Sequence, residues 1–488
     1  MEAQGQEGPN LAAALDREDL NLPDRYEALR GASGENLRAI IHPVTGSLQA
    51  LDRRFSEMRA ARRGALMILR GDSGAGKSTF LDTAGFFWEG VVTERVPRNA
   101  EVPTMLEALG AADGPRIVVL EGREALGGES AVDIEAALHV VNEFLRSPAG
   151  AETLVVWPTN TDDLTALLAE LGGKIGAEAL FGVGDPVERF EGPPEEAFAE
   201  IAERTVQTLN SGASLAALGV SADQAAQMAA DASTIGGYLG LVRQALLSNE
   251  GMVRGLLRVE RYRLWTLVVA GNEPENDVAA LTRGSHGYAD IDRLLSATKA
   301  NVVKELKASP EKAGLLATNL DARILHMDMV TALAIAREFG GESLHEQMRA
   351  RKMVTTSSGQ VSAASRLKAS ELGLLLAADS LGPRRRGKRP GGSTKDAFGS
   401  LALIASRDDG AINCAIGEGL RHSGLIDAFG AEVDLGTELT FASDLLLDRG
   451  GEPIRLEIMW RNKTSRAEIA NYVLGKLRNY GRAIGYID

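Results

Sequence analysis

Two stretches of the chain carry residue types that could do phosphate chemistry. The first, Gly71-Asp72-Ser73-Gly74-Ala75-Gly76-Lys77-Ser78-Thr79, contains a complete Gly-x4-Gly-Lys-Ser phosphate loop. Its glycines let backbone N–H groups wrap phosphate oxygens, Lys77 would reach terminal phosphates, and the Ser78 hydroxyl would ligate magnesium. The second is a pair of carboxylates, Asp444 and Glu457, flanking Arg449-Gly450-Gly451-Glu452. A four-residue hairpin loop there sets Asp448 against Pro453, Leu446 against Arg455 and Asp444 against Glu457. Cross-strand partners sit with Cβ atoms about 5 Å apart, and like charges so placed destabilise a sheet. A divalent cation between them reverses that sign.

The first stretch needs a strand before it and a helix after it. "ALMILRG" (65–71) and "STFLDTAGFF" supply both. Further apolar runs at 90–96, 116–122, 153–159 and 187–192 alternate with helical patterns. Apolar strands separated by helices predict a parallel sheet covered on both faces. "RIVVLEGRE" ends with Glu121 and, three residues later, Glu124. One of these carboxylates would hold magnesium through water, with Glu121 the expected ligand, and the other would orient the attacking water.

Residues 36–248 resemble the AAA+ family of P-loop ATPases. The resemblance implies ATP and Mg2+ as cofactors and an α/β P-loop sheet over about 36–193, followed by a helical lid over 194–250. It also implies a polar residue ending the strand at 153–159, for which Asn160 is preferred to Thr159. Arg243, in "STIGGYLGLVRQAL", would face the γ-phosphate. The family ends its acidic strand with Asp-Glu, whereas this chain has Leu120-Glu121. Such proteins usually form rings completed by a neighbour's arginine. Here 165–186, the usual place for it, offers only Lys174. Arg254, Arg258 and Arg261 share one helix face at i, i+4, i+7, although such a stripe is more often simply solvated.

The second stretch closes a tail of different character. From Pro383 to Asp488 there are 16 Lys and Arg against 14 Asp and Glu, within a chain of net charge −14. "PRRRGKRP" (383–390) lies in a basic linker, 381–395, whose charge would give salt-sensitive affinity for phosphate backbones. The module at 396–488 resembles the restriction-endonuclease-like PD-(D/E)xK nucleases, whose metal-binding acids lie on adjacent strands. The resemblance implies Asp444 and Glu457 as metal ligands and catalytic acids, with Glu418 a third acid. The family's lysine position is Met459, so Arg461, Lys463 or Lys476 must substitute, and Lys463 is the choice for the site. The final helix opens with Ser465 and Glu468 at capping-box spacing and carries an apolar stripe at Ile469, Val473, Leu477, Tyr480 and Ile484. Lys476, Arg478 and Arg482 fall off that stripe, towards solvent or DNA.

The remaining sequence sets bounds. The chain has 488 residues, 44% hydrophobic and 25% charged, as in an ordinary soluble protein of about three domains. One cysteine, Cys414, excludes an intrachain disulfide. No apolar run approaches the roughly 20 residues of a membrane span, and the polar start lacks a signal-peptide core, so a cytoplasmic protein is expected. Residues 1–35 read as a polar segment and 251–380 as a helical region without an assigned role. Two functions fit. One is an ATP-dependent nuclease acting on DNA, plausible in prokaryotic defence and working as a homo-oligomer. The other is a nucleotide-switched factor whose tail docks DNA or an effector protein without cleavage. Neither involves a membrane.

Overall fold

The computed structural model describes residues 22, 38, 40–88, 90–125, 130–210, 212–256, 262–301, 304–356, 361–378, 380–381, 391–435 and 441–487. The basic run 383–390, Arg258, Arg261, the Arg254 side chain and nearly all of the polar segment 1–35 lie outside what is described. The chain divides into two compact units. One comprises Asn21–Thr208 and Ala222–Gln244, and the other contains Leu209–Ser221 and Ala245–Asp488.

The first unit is built on a parallel sheet of β1 (Ala65–Arg70), β2 (Val92–Val96), β3 (Arg116–Leu120), β4 (Thr153–Thr159) and β5 (Val187–Arg189), in the order β2-β3-β4-β1-β5. All five expected strands are present and parallel. Helix α1 (Thr45–Ala61) and the short α2 (Lys77–Asp82) belong to one face, α3 (Ala131–Arg146) and α4 (Asp162–Ile175) to the other. Alternation along β1 explains the layering. Ala65, Met67 and Leu69 pack with Leu51, Phe55 and Phe80, while Leu66 and Ile68 pack with Leu138 and Leu168. Helices α5 (Phe198–Leu209), α6 (Ala222–Asp231) and α7 (Ile235–Leu256) follow.

The second unit corrects the expected organisation. Residues 251–380 are not all helical. They contain β6 (Arg263–Ala270), β7 (Thr282–Arg283), β8 (Tyr288–Ala289) and β9 (Arg323–Met327). Nor does the tail form a separate sheet. Its strands β10 (Ala428–Asp434), β11 (Ala442–Arg449) and β12 (Glu452–Arg461) complete a seven-stranded mixed sheet, β10-β11-β12-β6-β9-β8-β7. Strand β12 lies parallel to β6, from Ile454 opposite Arg263 to Arg461 opposite Ala270. Every residue of β6 is buried, so the strand shows no polar alternation to read. Strand β9 is only five residues long. The arginines that open both strands are neutralised in the interior: Arg263 pairs with Asp321 and Glu452, and Arg323 with Asp321.

Around this sheet, α8 (Met329–Glu338), α9 (Gly392–Ala405) and α10 (Gly410–His422) cover the face that includes Leu456, Ile458 and Trp460. The last helix, α11 (Arg466–Ala483), covers the other face, where Met459 is buried against Ile469, Val473 and Leu477. Strand parity puts Glu457 on the same face as Met459, beneath α11. The hairpin turn is tighter than expected. Arg449 pairs with Glu452, leaving a two-residue loop of Gly450 and Gly451 at φ 61° and 82°, a type I′ requirement. Both turn lengths give the same register, and Asp448 is opposite Pro453 and Leu446 opposite Arg455. No helix among the described residues is long and apolar enough to cross a membrane.

Candidate functional site

Strand β1 runs into the glycine-rich loop, and the loop runs into α2. Gly74 and Gly76 have φ of 84° and 101°, a region that residues with a Cβ rarely adopt. A Cβ on Gly71 would lie 2.5 Å from the Phe190 carbonyl oxygen, so this position needs glycine for space. The Lys77 ammonium is held by the carbonyl oxygens of Gly71 (2.6 Å) and Asp72 (3.0 Å) and by Asn160 Oδ1 (2.7 Å). All three partners are neutral. Burial therefore pushes the Lys77 pKa down to about 8, with Glu124 acting in the opposite sense. Asp72 is exposed and its carboxylate binds Arg70.

A cavity of about 480 Å³ opens over this loop. Its lining includes the loop residues Ser73, Gly74, Ala75, Gly76, Lys77, Ser78 and Thr79, with Glu124 and Asn160. Apolar residues of the lining include Ile40, Ile41, Val44, Phe87 and Leu239. The structure separates the two acids. Glu124 lines the cavity, with Oε1 accepting the Gly122 N–H at 2.9 Å. Glu121 does not line it and is bound by Arg95 (2.8 Å), which also holds Asp82 (2.7 Å). Of the two expected acids, the turn after β3 carries Glu124 to the loop, while Glu121, the expected magnesium ligand, sits in an ion-pair network with Arg95 and Asp82. At the end of β4, Thr159 is buried and bonded to Thr165, while Asn160 reaches Lys77.

The first turns of α7 close on the loop, where the Gly236 N–H donates to the Gly74 carbonyl at 2.9 Å. Ile235, Gly236 and Leu239 line the cavity. Arg243, half-buried, lies one turn past Leu239 and outside the lining. Lys174 pairs with Glu170 in its own helix.

The second cluster lies between β11, β12 and α11. The Glu457 side chain is fully buried, the Tyr480 hydroxyl donates to Oε1 at 2.7 Å, and the Lys476 ammonium forms a close ion pair with Oε2. Asp444 Oδ2 accepts the Ile458 N–H at 2.6 Å. This bond takes the Asp444 side chain to the β12 backbone just past the last ladder pair, Leu445 with Leu456. Burial pushes Glu457 up to about 7, against the pull of Lys476 and with a further push from Asp444. Burial also raises Asp444, opposed by Lys476 and by the Ile458 N–H. The phenols of Tyr472 and Tyr480 are pushed up for the same reason.

Three expectations at this cluster change. Met459 is core, 1% exposed. Lys463 is exposed in the bend after β12, because the strand ends at Arg461, so it does not supply the cation. Lys476, another of the three named candidates, pairs with Glu457 instead of facing solvent. Tyr472, Lys476 and Tyr480 stand at i, i+4 and i+8, one ridge of α11 along the edge of its apolar stripe. That spacing was the signal available in the sequence. Glu418 is half-buried and binds Arg421. Among the described residues no group of three His, Cys, Asp or Glu could hold a metal. Comparison with protein-family models finds no match for the chain, and no curated protein matches it.

Proposed function

We propose that the chain binds and hydrolyses ATP with magnesium in the cavity over residues 71–79, as AAA+-like proteins do, and that this event controls a DNA-acting centre at Asp444, Glu457 and Lys476. The observation that carries the reading is Lys77. Its positive charge is held by carbonyls and an amide and, among the described residues, forms no direct ion pair with a carboxylate, which is the electrostatic condition for receiving a phosphate. The cavity's lining holds apolar side chains that would suit a base and a glycine-rich loop that would suit phosphates.

The residues present fit magnesium, since Ser78 and Glu124 line one cavity. When bound, the ion would neutralise charge on the phosphate oxygens. Lys77 would exchange its Asn160 bond for a phosphate oxygen. Glu124 would accept the proton of the attacking water, and Asn160, released from Lys77, would orient that water. The turn formed by Gly236 and Ile235 over Gly74 would act as a lid that senses the nucleotide.

For the second centre, Asp444, Glu457 and Lys476 come together as a metal-dependent nuclease would need, with Lys476 replacing the lysine that Met459 lacks. The setting in defence against foreign DNA rests on analogy with ATPase–nuclease fusions, and ring assembly rests on the AAA+ likeness. A second reading, docking of DNA or an effector without cleavage, is favoured by one observation: Glu457 is fully buried and already paired.

The test combines two assays. ATP binding and phosphate release should vanish in Lys77→Ala, and normal turnover there would overturn the nucleotide assignment. Plasmid incubated with Mg2+ or Mn2+ should be cut by wild type and not by Glu457→Ala. Cutting that survives this substitution rules out the site, and no cutting by wild type selects the docking reading.

A further inference from the structure

We propose that Arg123 is a positioning residue for Glu124: its guanidinium, anchored outside the cavity, fixes the turn that holds the Glu124 carboxylate at the cavity wall. This role rests on the reading of the cavity as a site of ATP hydrolysis with Glu124 as the base, and it names a residue on which that base depends. The two side chains are consecutive and diverge. Glu124 lines the cavity and Arg123 does not. Arg123 is instead 8% exposed, sunk against the segment that follows β2.

The anchorage is extensive. One terminal nitrogen of Arg123 donates to the carbonyl oxygens of Val96 (3.2 Å), Pro97 (3.3 Å) and Glu121 (3.2 Å). The other donates to those of Arg98 (3.3 Å) and Ala100 (2.9 Å). Carbonyls from the end of β2, from the segment after it and from the end of β3 thus converge on one planar cation. A guanidinium presents a rigid fork of donors that can bridge such an array, whereas an ammonium has its three donors on a single atom. The end of β4 holds the same turn by its backbone. Trp157 Nε1 donates to the Arg123 carbonyl at 3.1 Å, and the Asn160 N–H donates to the Glu124 carbonyl at 2.7 Å.

The turn needs such an anchor. It pivots on Gly122 at φ 78°, a residue whose backbone has the widest freedom. The Gly122 N–H is also the donor that orients Glu124 Oε1. The bond from the Glu121 N–H to the Val96 carbonyl (2.9 Å) fixes only the start of the turn. Without the Arg123 fork, the peptide units of 122–124 can rotate and carry the carboxylate with them. A base displaced by about an ångström from its water can lose about 10²-fold in rate. Arg123 is absent from the cavity lining, so its loss should fall on kcat and spare ATP affinity.

Phosphate release and fluorescent-ATP titration on the full chain test this, with Arg123→Met, Arg123→Lys, and each combined with Glu124→Gln. Arg123→Met should lower kcat at least about tenfold, with ATP affinity held within about threefold. Arg123→Lys keeps the charge and loses the fork, so it should lower kcat at least about threefold and less than Arg123→Met does. In the Glu124→Gln background either substitution should change turnover by less than about twofold, because no base is left to position. Smaller losses in kcat, a larger fall in ATP affinity, or a larger effect in the Glu124→Gln background overturns the proposal and leaves the ATPase reading standing. If Arg123→Met does not melt cooperatively, Arg123→Lys carries the comparison. If neither does, the arginine holds the fold rather than the acid, and the proposal is overturned. Absence of ATP turnover in wild type overturns the ATPase reading and the proposal with it.

Discussion

Lys77 and Lys476 are each largely buried in an α/β unit, yet their surroundings are opposite. Lys77 is ringed by two carbonyls and an amide, and Lys476 faces a buried carboxylate with a second one nearby. Burial disfavours the charge of the first lysine, against the pull of Glu124, and an arriving anion would relieve that cost. The second has its charge satisfied within the protein, and the acids around it remain short of positive charge. A buried lysine among neutral partners would suit an arriving anion, whereas one paired with an acid is already satisfied, and the residue type alone does not distinguish them.

The comparison can be broken most directly at the acids. Glu124→Gln should lower ATP turnover by about 10²–10⁴-fold while leaving ATP affinity nearly intact, as for loss of a general base. Glu121→Gln should lower turnover less than about tenfold and reduce thermal stability, because it removes one of the two acids that hold Arg95. Steady-state phosphate release with parallel binding measurements checks both, and a reversed order of effects would return the catalytic role to Glu121.

The next effect concerns Lys77 itself. Lys77→Met should weaken ATP binding by about 100-fold, the scale of one or two charged hydrogen bonds, in a titration with fluorescent ATP. A loss of only two- or threefold would show that its charge is not aimed at the nucleotide.

Acid–base behaviour sharpens the contrast. Burial pushes the Lys77 pKa down to about 8, so the ammonium form that would bind phosphate is depleted above that pH. ATP affinity should fall as pH rises from 8 towards 10, by up to about tenfold per unit, with proton uptake on binding. Calorimetry in buffers of different ionisation enthalpy reads this directly, and a flat profile would contradict it.

Glu457 has the opposite consequence. Its folded pKa, about 7, lies above the unfolded value of 4.5, so between these limits the native state holds more protons than the unfolded chain. Its contribution is fully present below about pH 4.5 and is lost as pH rises through 7, so unfolding free energy declines across that window. The change is a few kcal/mol at most. Urea melts at pH 5, 6, 7 and 8 should show this decline in wild type and a flatter dependence in Glu457→Gln. Parallel slopes would mean that Glu457 is ionised throughout.

The parallel sheet of the first unit was legible because each strand is an apolar run set between helical patterns, and the loop at 71–79 carries its own spacing. The hairpin register at 445–456 was legible because the two glycines mark the turn. Strand β6 was not, because burial on both faces removes the alternation that identifies a strand. The choice of Glu124 over Glu121 depends on how the chain turns after β3, which spacing does not encode. Lys476 looked like a solvent residue because a helical wheel shows which way a side chain leaves its helix but not what the neighbouring strand presents to it.

What the sequence determined by itself was local: which segments are apolar, where glycine permits a turn, and which residues could bind phosphate or metal. These follow from side-chain chemistry and from the 3.6 and 2.0 residue periods. The tertiary structure decided the pairings: β12 beside β6 across nearly two hundred residues of chain, Asn160 on Lys77, and Lys476 on Glu457. Charges act over a few ångströms of space and not along the chain, so only the packed fold determines which lysine meets a neutral partner and which meets an acid.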